Sequence, residues 1–191
     1  MLPLPLHVGL CGFGGQGIIL SAVILGTTAV TKSHLHAVQT QSYGSEARGG
    51  QCQAELIIDS KPINSPVSDK KDLLVCMFQN AYDKYISSLK EDGILIVDPK
   101  LVTRAPGCAA RTFRVPATEI AIAQGNRMAA NMVMLGFLSE YTRIVGKEDM
   151  KAVIADSVSE RFRELNLKAF EAGVAYACGH AGEKQARHES L

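Results

Sequence analysis

Residues 8–20 read "VGLCGFGGQGIIL", and their reading decides the fold. An apolar run breaks into Gly12-Phe13-Gly14-Gly15-Gln16-Gly17 and resumes at once. The residues before it, "LHVGLC" (6–11), form a short apolar stretch of the kind that makes a buried strand. Those after it, "IILSAVILGTTAVTKS", continue as a helix that is apolar almost all round. A strand, a glycine turn and a helix open a βαβ unit, and G-x-G-x-x-G in that setting is the dinucleotide fingerprint. Glycines there admit positive φ and remove side chains, so N–H groups at a helix N-terminus can approach an anion. The same spelling also serves a tight turn packed on a sheet. Gly26 inside the helix costs about 1 kcal/mol relative to Ala, which implies close packing at that point.

Working outward, further strands are expected at "HLHAVQT" (34–40), "QAELIID" (53–59), "DLLVCMF" (72–78), "ILIVDP" (94–99) and "ARTFRVP" (110–116). "NAYDKYISSLKEDG" reads as a helix closed by Gly93. The remainder is helical. A helix opens at Ala117 or Thr118, and "RMAANMVMLGFLSEYTRIVG" makes a long one ending at Gly146. "KEDMKAVIADSVSERF", with acids in its first turn, and "LNLKAFEAGVAYACG" complete the set. This order gives an α/β fold: a Rossmann-like, mostly parallel or mixed sheet flanked by helices, with C-terminal helices. One domain is expected over residues 1–180, followed by a polar tail at 181–191.

An NAD site also needs an acid at the end of the second strand to hold the ribose hydroxyls. "HLHAVQT" has none, and the nearest carboxylate is Glu46, in the loop beyond. No Arg stands at that strand end to favour a 2′-phosphate, so NAD(P) is not expected. That loop, "SYGSEARGG" (42–50), is the second candidate element. It sets Ser42, Tyr43, Glu46 and Arg48 among Gly44, Gly49 and Gly50, and Arg48 offers a forked donor for phosphate or carboxylate. Both glycine loops follow strands and therefore fall on one rim of the sheet. A solvated surface loop with a Glu46–Arg48 charge pair is the plain alternative.

Other polar residues carry less. His7, His34 and His36 stand near strand starts without clustered acids or cysteines, so no metal site is expected. Asp98 ends a strand and suits a turn or cap. Asn126 suits a cap, and Asn131 needs a partner if buried. Met128, Met132 and Met134 read as core. The five cysteines, at 11, 52, 76, 108 and 178, have no CxxC spacing, which excludes a zinc ribbon or a ferredoxin-type cluster. Such a scattered set fits reduced thiols in a cytoplasmic protein. A formal net charge of +1 gives no broad attraction to nucleic acid or to an anionic membrane. The N-terminus lacks the pattern of a signal peptide, and residues 18–30 are too short to span a bilayer. There is no nucleophile–base constellation and no acid–base pair, so no catalytic residue is assigned.

Taken in order, "GFGGQGI", "SYGSEARGGQCQAELIID", "LLVCMFQNAYDKY", "GILIVDP" and "GNRMAANMVMLG" resemble the gamma subunit of 2-oxoacid:ferredoxin oxidoreductases over about residues 7–175. The second-loop spelling is similar to gamma subunits acting with pyruvate, branched 2-oxoacids or 2-oxoglutarate, the last being preferred. The resemblance implies an accessory role. A 2-oxoacid is oxidatively decarboxylated on thiamine diphosphate and magnesium held by alpha and beta subunits. Electrons leave through [4Fe–4S] clusters to ferredoxin, and the acyl group passes to coenzyme A. The chain's partners would be alpha, beta and delta subunits, with ferredoxin met indirectly. Isolated, it would be inactive and free to form a homodimer. The two loops, Gly12, Gly14, Gly15, Gln16 and Gly17 with Ser42, Tyr43, Glu46, Arg48, Gly49 and Gly50, would face coenzyme A or dock another subunit. A stand-alone nucleotide-binding protein using the same loop, or a structural subunit without ligand, are the alternatives.

Overall fold

The computed structural model describes residues 2–43, 50–105 and 111–180. Among these residues six strands form one sheet: β1 (Leu6–Phe13), β2 (His36–Tyr43), β3 (Gln51–Asp59), β4 (Lys71–Cys76), β5 (Leu89–Val97) and β6 (Arg111–Arg114). Their order is β2-β3-β1-β4-β5-β6. β4, β5 and β6 continue parallel from β1, whereas β3 runs antiparallel to both β1 and β2. The sheet is therefore mixed. β1 is buried on both sides because it is central; β2, at the edge, has no fully buried residue between 36 and 42.

The helices are α1 (Ile18–Thr31), α2 (Gln79–Tyr85), α3 (Ala117–Ala123), α4 (Ala130–Thr142), α5 (Lys147–Ser157) and α6 (Glu160–His180), with 3₁₀ turns at 86–88 and 127–129. α1 and α3 to α6 share one core with Val8, Leu10, Leu56, Leu73 and Ile96. α2 covers the other face through Ala81 and Tyr82, against Cys11, Leu74 and Leu95. Gly26 does pack closely: a Cβ there would lie 3.1 Å from Leu56 Cδ1.

Several boundaries differ from expectation, each for a physical reason. Gly93 does not close a helix. α2 stops at Tyr85, and Gly93 lies buried within β5, where a Cβ would meet Leu89 Cδ1 at 2.6 Å. β2 runs on to Tyr43, so Ser42 and Tyr43 belong to the strand, because β3 offers partners as far as Cys52. α4 ends at Thr142, where Arg143 turns left-handed (φ 51°), and not at Gly146. Val158 is extended and separates α5 from α6. Met128 is not core: the 3₁₀ turn rotates it outward to 58% exposure, while Met132 and Met134 are buried as expected. Cys11, Cys52 and Cys76 are buried and Cys178 is exposed; Cys108 and the 181–191 tail lie outside the described residues. Burial, and secondarily Cys11, pushes the Cys52 thiol up, which keeps it protonated and inert.

At the amino end of the parallel strands, charged groups meet on the α2 side. Lys71, 2% exposed, pairs with Glu55 at 3.1 Å and donates to the Ser68 carbonyl. The His7 N–H donates to Asp72 at 2.8 Å, and Asp72 pairs with Lys90 at 2.5 Å. Burial holds the His7 imidazole below its usual range, only partly opposed by Asp72, and its Nδ1 has no hydrogen-bond partner among the described residues. The unfolded chain therefore binds a proton near pH 6.5 that the folded chain refuses. Above that pH the group contributes nothing; below it stability is lost as pH falls. His7→Gln is expected to narrow the gap between melting temperatures measured at about pH 7.5 and 5.5, on either side of the unfolded imidazole's pKa. An unchanged gap would rule out His7 as the source.

Candidate functional site

The glycine loop after β1 is largely filled by its own chain. Gln16 folds back across it: its Oε1 accepts the Phe13 N–H at 2.6 Å, and its Nε2 donates to the Met77 carbonyl at 2.7 Å. A Cβ on Gly12 would lie 2.5 Å from that Oε1. Gly17 caps α1 in the left-handed region (φ 72°), and its missing Cβ leaves room for Asn131, whose Nδ2 would otherwise sit 2.4 Å away. Asn131, 4% exposed, donates to the Gly17 carbonyl and to Ser21 Oγ, both at 3.4 Å, which supplies the partners its burial requires. The Gln16 N–H bonds Phe13 O at 3.1 Å, and the Gly14 N–H bonds Gly50 O at 3.2 Å. Three of the loop's N–H groups, on Phe13, Gly14 and Gln16, are thus already taken within the chain. Gly12 and Gly17 serve close packing, and Gly14 makes a link to the second loop.

That Gly14–Gly50 bond brings the end of the second loop against the first, on the rim formed by the carboxyl ends of β1 and β2. Ser42 is exposed at the end of β2. Glu46, Arg48 and Gly49 lie outside the described residues.

Beside Gln16 opens a cleft of about 270 Å³ that periodicity alone does not reveal. Its floor comes from the residues after three parallel strands: Gln16 after β1, Met77 after β4, and Lys100 with Leu101 after β5. Its far wall is Thr118 and Ile122 of α3 with Arg127 and Met128 of the 3₁₀ turn. α1 leads away over β2 and β3, whereas α2 leads from β4 to β5, so the chain diverges between β1 and β4. Ligands of open α/β sheets bind at such a switch point. Two flexible cations, Lys100 and Arg127, face an apolar rim on which Ile122 is 50% and Met128 58% exposed. An anionic ligand with an apolar part suits this lining.

Asp98 sets the shape of the cleft. Fully buried at the end of β5, its carboxylate accepts the Lys100 N–H at 2.9 Å, the Thr118 N–H at 2.7 Å and the Thr118 hydroxyl at 2.5 Å. The turn role expected for Asp98 thus extends to tying β5 to α3. Asn126 caps as expected, its Oδ1 accepting the Met128 N–H at 2.9 Å, and so fixes the turn carrying Arg127. Among the described residues no three His, Cys, Asp or Glu side chains gather as a metal site, and no helix is long and apolar enough to cross a membrane.

Comparison with known proteins agrees with this architecture. The family model described as pyruvate ferredoxin/flavodoxin oxidoreductase matches residues 7–176. The 2-oxoglutarate synthase subunit KorC of Methanocaldococcus jannaschii is 46% identical over 174 residues, covering 90% of this chain and 93% of that one. The crystal structure of the keto/oxoacid ferredoxin oxidoreductase gamma subunit from Geobacter sulfurreducens superposes with a TM-score of 0.81 at 38% identity, over 91% of this chain and 99% of that one. The ketoisovalerate oxidoreductase subunit VorA of Methanothermobacter thermautotrophicus is 31% identical over 90% of this chain, but the match spans only 36% of VorA.

Proposed function

This chain belongs to the pyruvate ferredoxin/flavodoxin oxidoreductase family, and on that premise we propose that it is the gamma subunit of a 2-oxoglutarate:ferredoxin oxidoreductase, with its cleft holding part of coenzyme A. As an accessory subunit it works within a complex that oxidatively decarboxylates a 2-oxoacid to its acyl-CoA and reduces ferredoxin. Near-full-length identity of 46% to a 2-oxoglutarate synthase subunit supports the choice of acid. Thiamine diphosphate, magnesium and [4Fe–4S] clusters fall to the alpha, beta and delta partners. The work assigned to this chain is binding rather than chemistry.

The observation that carries the ligand is the pairing of Lys100 and Arg127 with an apolar rim at the switch point. Coenzyme A joins phosphates to an adenine and an apolar pantetheine arm. Arg127 and Lys100 meet its phosphates, while Met128 and Ile122 cover an apolar part. The glycine loop supplies part of the floor, through Gln16, instead of a phosphate cradle, because its N–H groups on Phe13, Gly14 and Gln16 are engaged. Arg48, next in sequence to the second loop's closing glycines, is the further cation to test.

In the assembled oxidoreductase, Arg127→Ala and Lys100→Ala are each expected to raise the KM for coenzyme A about 10-fold or more, the worth of a charge-assisted contact. The KM for 2-oxoglutarate stays unchanged. A coenzyme A KM unmoved by both substitutions would count against the cleft. Activity with pyruvate but not 2-oxoglutarate would count against the acid.

A further inference from the structure

The flank built from α1 and β2 is nearly free of charge. Lys32 is the only Asp, Glu, Lys or Arg between residues 18 and 43, in a chain of which 20% of residues are charged. On α1, Val23 and Val30 stand 42% and 46% exposed, with exposed Thr27 between them at helical spacing. This leaves on the helix a face without charge that another neutral surface can meet.

β2 lies under α1 at the edge of the sheet and, among the described residues, pairs only with β3. Among the described residues no backbone bond reaches its outer side. Natural edge strands are blunted by shortness, charge, proline or a bulge. β2 has eight residues, no charged residue, no proline, and an unbroken register from His36 to Tyr43. The opposite edge obeys the rule: β6 has four residues and exposes Arg111 and Arg114. Among the described residues one edge is protected and the other is open.

We propose that this flank pairs with a second copy of the chain, β2 against β2 in antiparallel register across a two-fold axis. The patch is self-complementary. A two-fold axis normal to the sheet turns an edge strand into its own antiparallel partner and keeps both α1 helices on one face. Val23, Thr27 and Val30 of one copy then meet those of the other, and neutral side chains bring no like-charge repulsion to that meeting. The two sheets become one continuous sheet, and both clefts stay open at its carboxyl rims. This inference is independent of the proposed ligand.

The test is sedimentation of the full chain from about 1 to about 100 µM, the range in which a modest interface declares itself. Amide exchange over residues 36–43 is followed at both ends of that range. A dimer is expected, with amides of β2 protected only at the high concentration. Two separate pairs of substitutions, Val23→Glu with Val30→Glu and Gln39→Lys with Gln41→Lys, are each expected to weaken it about 100-fold or more, because a charge is trapped at the contact. Circular dichroism and the melting temperature serve as the check that each variant is folded. A monomer throughout the range overturns the proposal. So does a dimer that neither pair of substitutions affects. Protection of β2 only in the assembled oxidoreductase, with the chain alone monomeric, also overturns it and assigns the flank to another subunit.

Discussion

Gly173→Ala is expected to cost about 3 kcal/mol or more of stability, at the upper end for an overpacked core, out of a total of roughly 5–15 for a domain of this size. α6 crosses α4 so closely that a Cβ at Gly173 would lie 2.0 Å from the Val133 carbonyl oxygen and 2.8 Å from its carbon. The crossing is reciprocal: a Cβ at Gly136 would lie 2.0 Å from the Phe170 carbonyl oxygen. In both places the obstacle is backbone, so no side chain can swing aside. The helices must part by about an ångström, which opens the core around Phe170 and Val133, both fully buried. One separation relieves both clashes. The double variant Gly136→Ala/Gly173→Ala is therefore expected to cost less than the sum of the single ones. Gly179→Ala is the control, since a Cβ there meets nothing within 4 Å, and a helical Ala should be neutral or slightly better. Urea and thermal unfolding of the four variants, the two single ones, the double and the control, check this. A Gly173→Ala chain melting within about 2 °C of the parent would show that the crossing is not tight.

Near-contact of this kind explains what the sequence discloses and what it hides. The glycine turn, the buried strands and the helical second half are legible because burial writes itself as period and run length. The mixed sheet is harder to read. β3 inserts antiparallel between β2 and β1, and strand direction leaves no trace in the local pattern. Gly93 misleads because a glycine after a polar segment signals a helix end as well as it signals a glycine within a strand. Met128 misleads because it keeps helical spacing with Met132, while the 3₁₀ turn at 127–129 points it outward.

The site divides in the same way. The loop after β1 is visible in the sequence, but its filling by Gln16 and Asn131 depends on a contact across 114 positions. Lys100 and Arg127 carry no shared local signal, and α3, lying between them in the chain, folds them onto one cleft. Only the ordered series of motifs pointed beyond the loop. It did so through kinship rather than through chemistry that could be read from spacing.

Asp98 is where fold and cleft are the same question, and its substitution is expected to have the second large effect. Its carboxylate is wholly buried and accepts three donors, from Lys100 and twice from Thr118. Asp98→Ala leaves all three without an acceptor, at about 1–3 kcal/mol for each buried donor that water cannot reach, so a loss of about 3–5 kcal/mol is expected. Asp98→Asn keeps one acceptor oxygen and sets an NH₂ where the other stood. It should fold, with about 1–2 kcal/mol lost, because the remaining oxygen can keep the place of Oδ2, which takes both Thr118 donors, while the NH₂ replaces only the acceptor of the Lys100 N–H. The same change frees Lys100 and Thr118 relative to each other, and both line the cleft. In the assembled oxidoreductase Asp98→Asn is therefore expected to raise the coenzyme A KM several-fold while the KM for the 2-oxoacid stays put, the signature of lost positioning at one ligand. Asp98→Asn with parent kinetics but reduced stability would make Asp98 a structural tie alone. Asp98→Ala as stable as the parent would mean that water reaches those donors and that the turn is not closed as described.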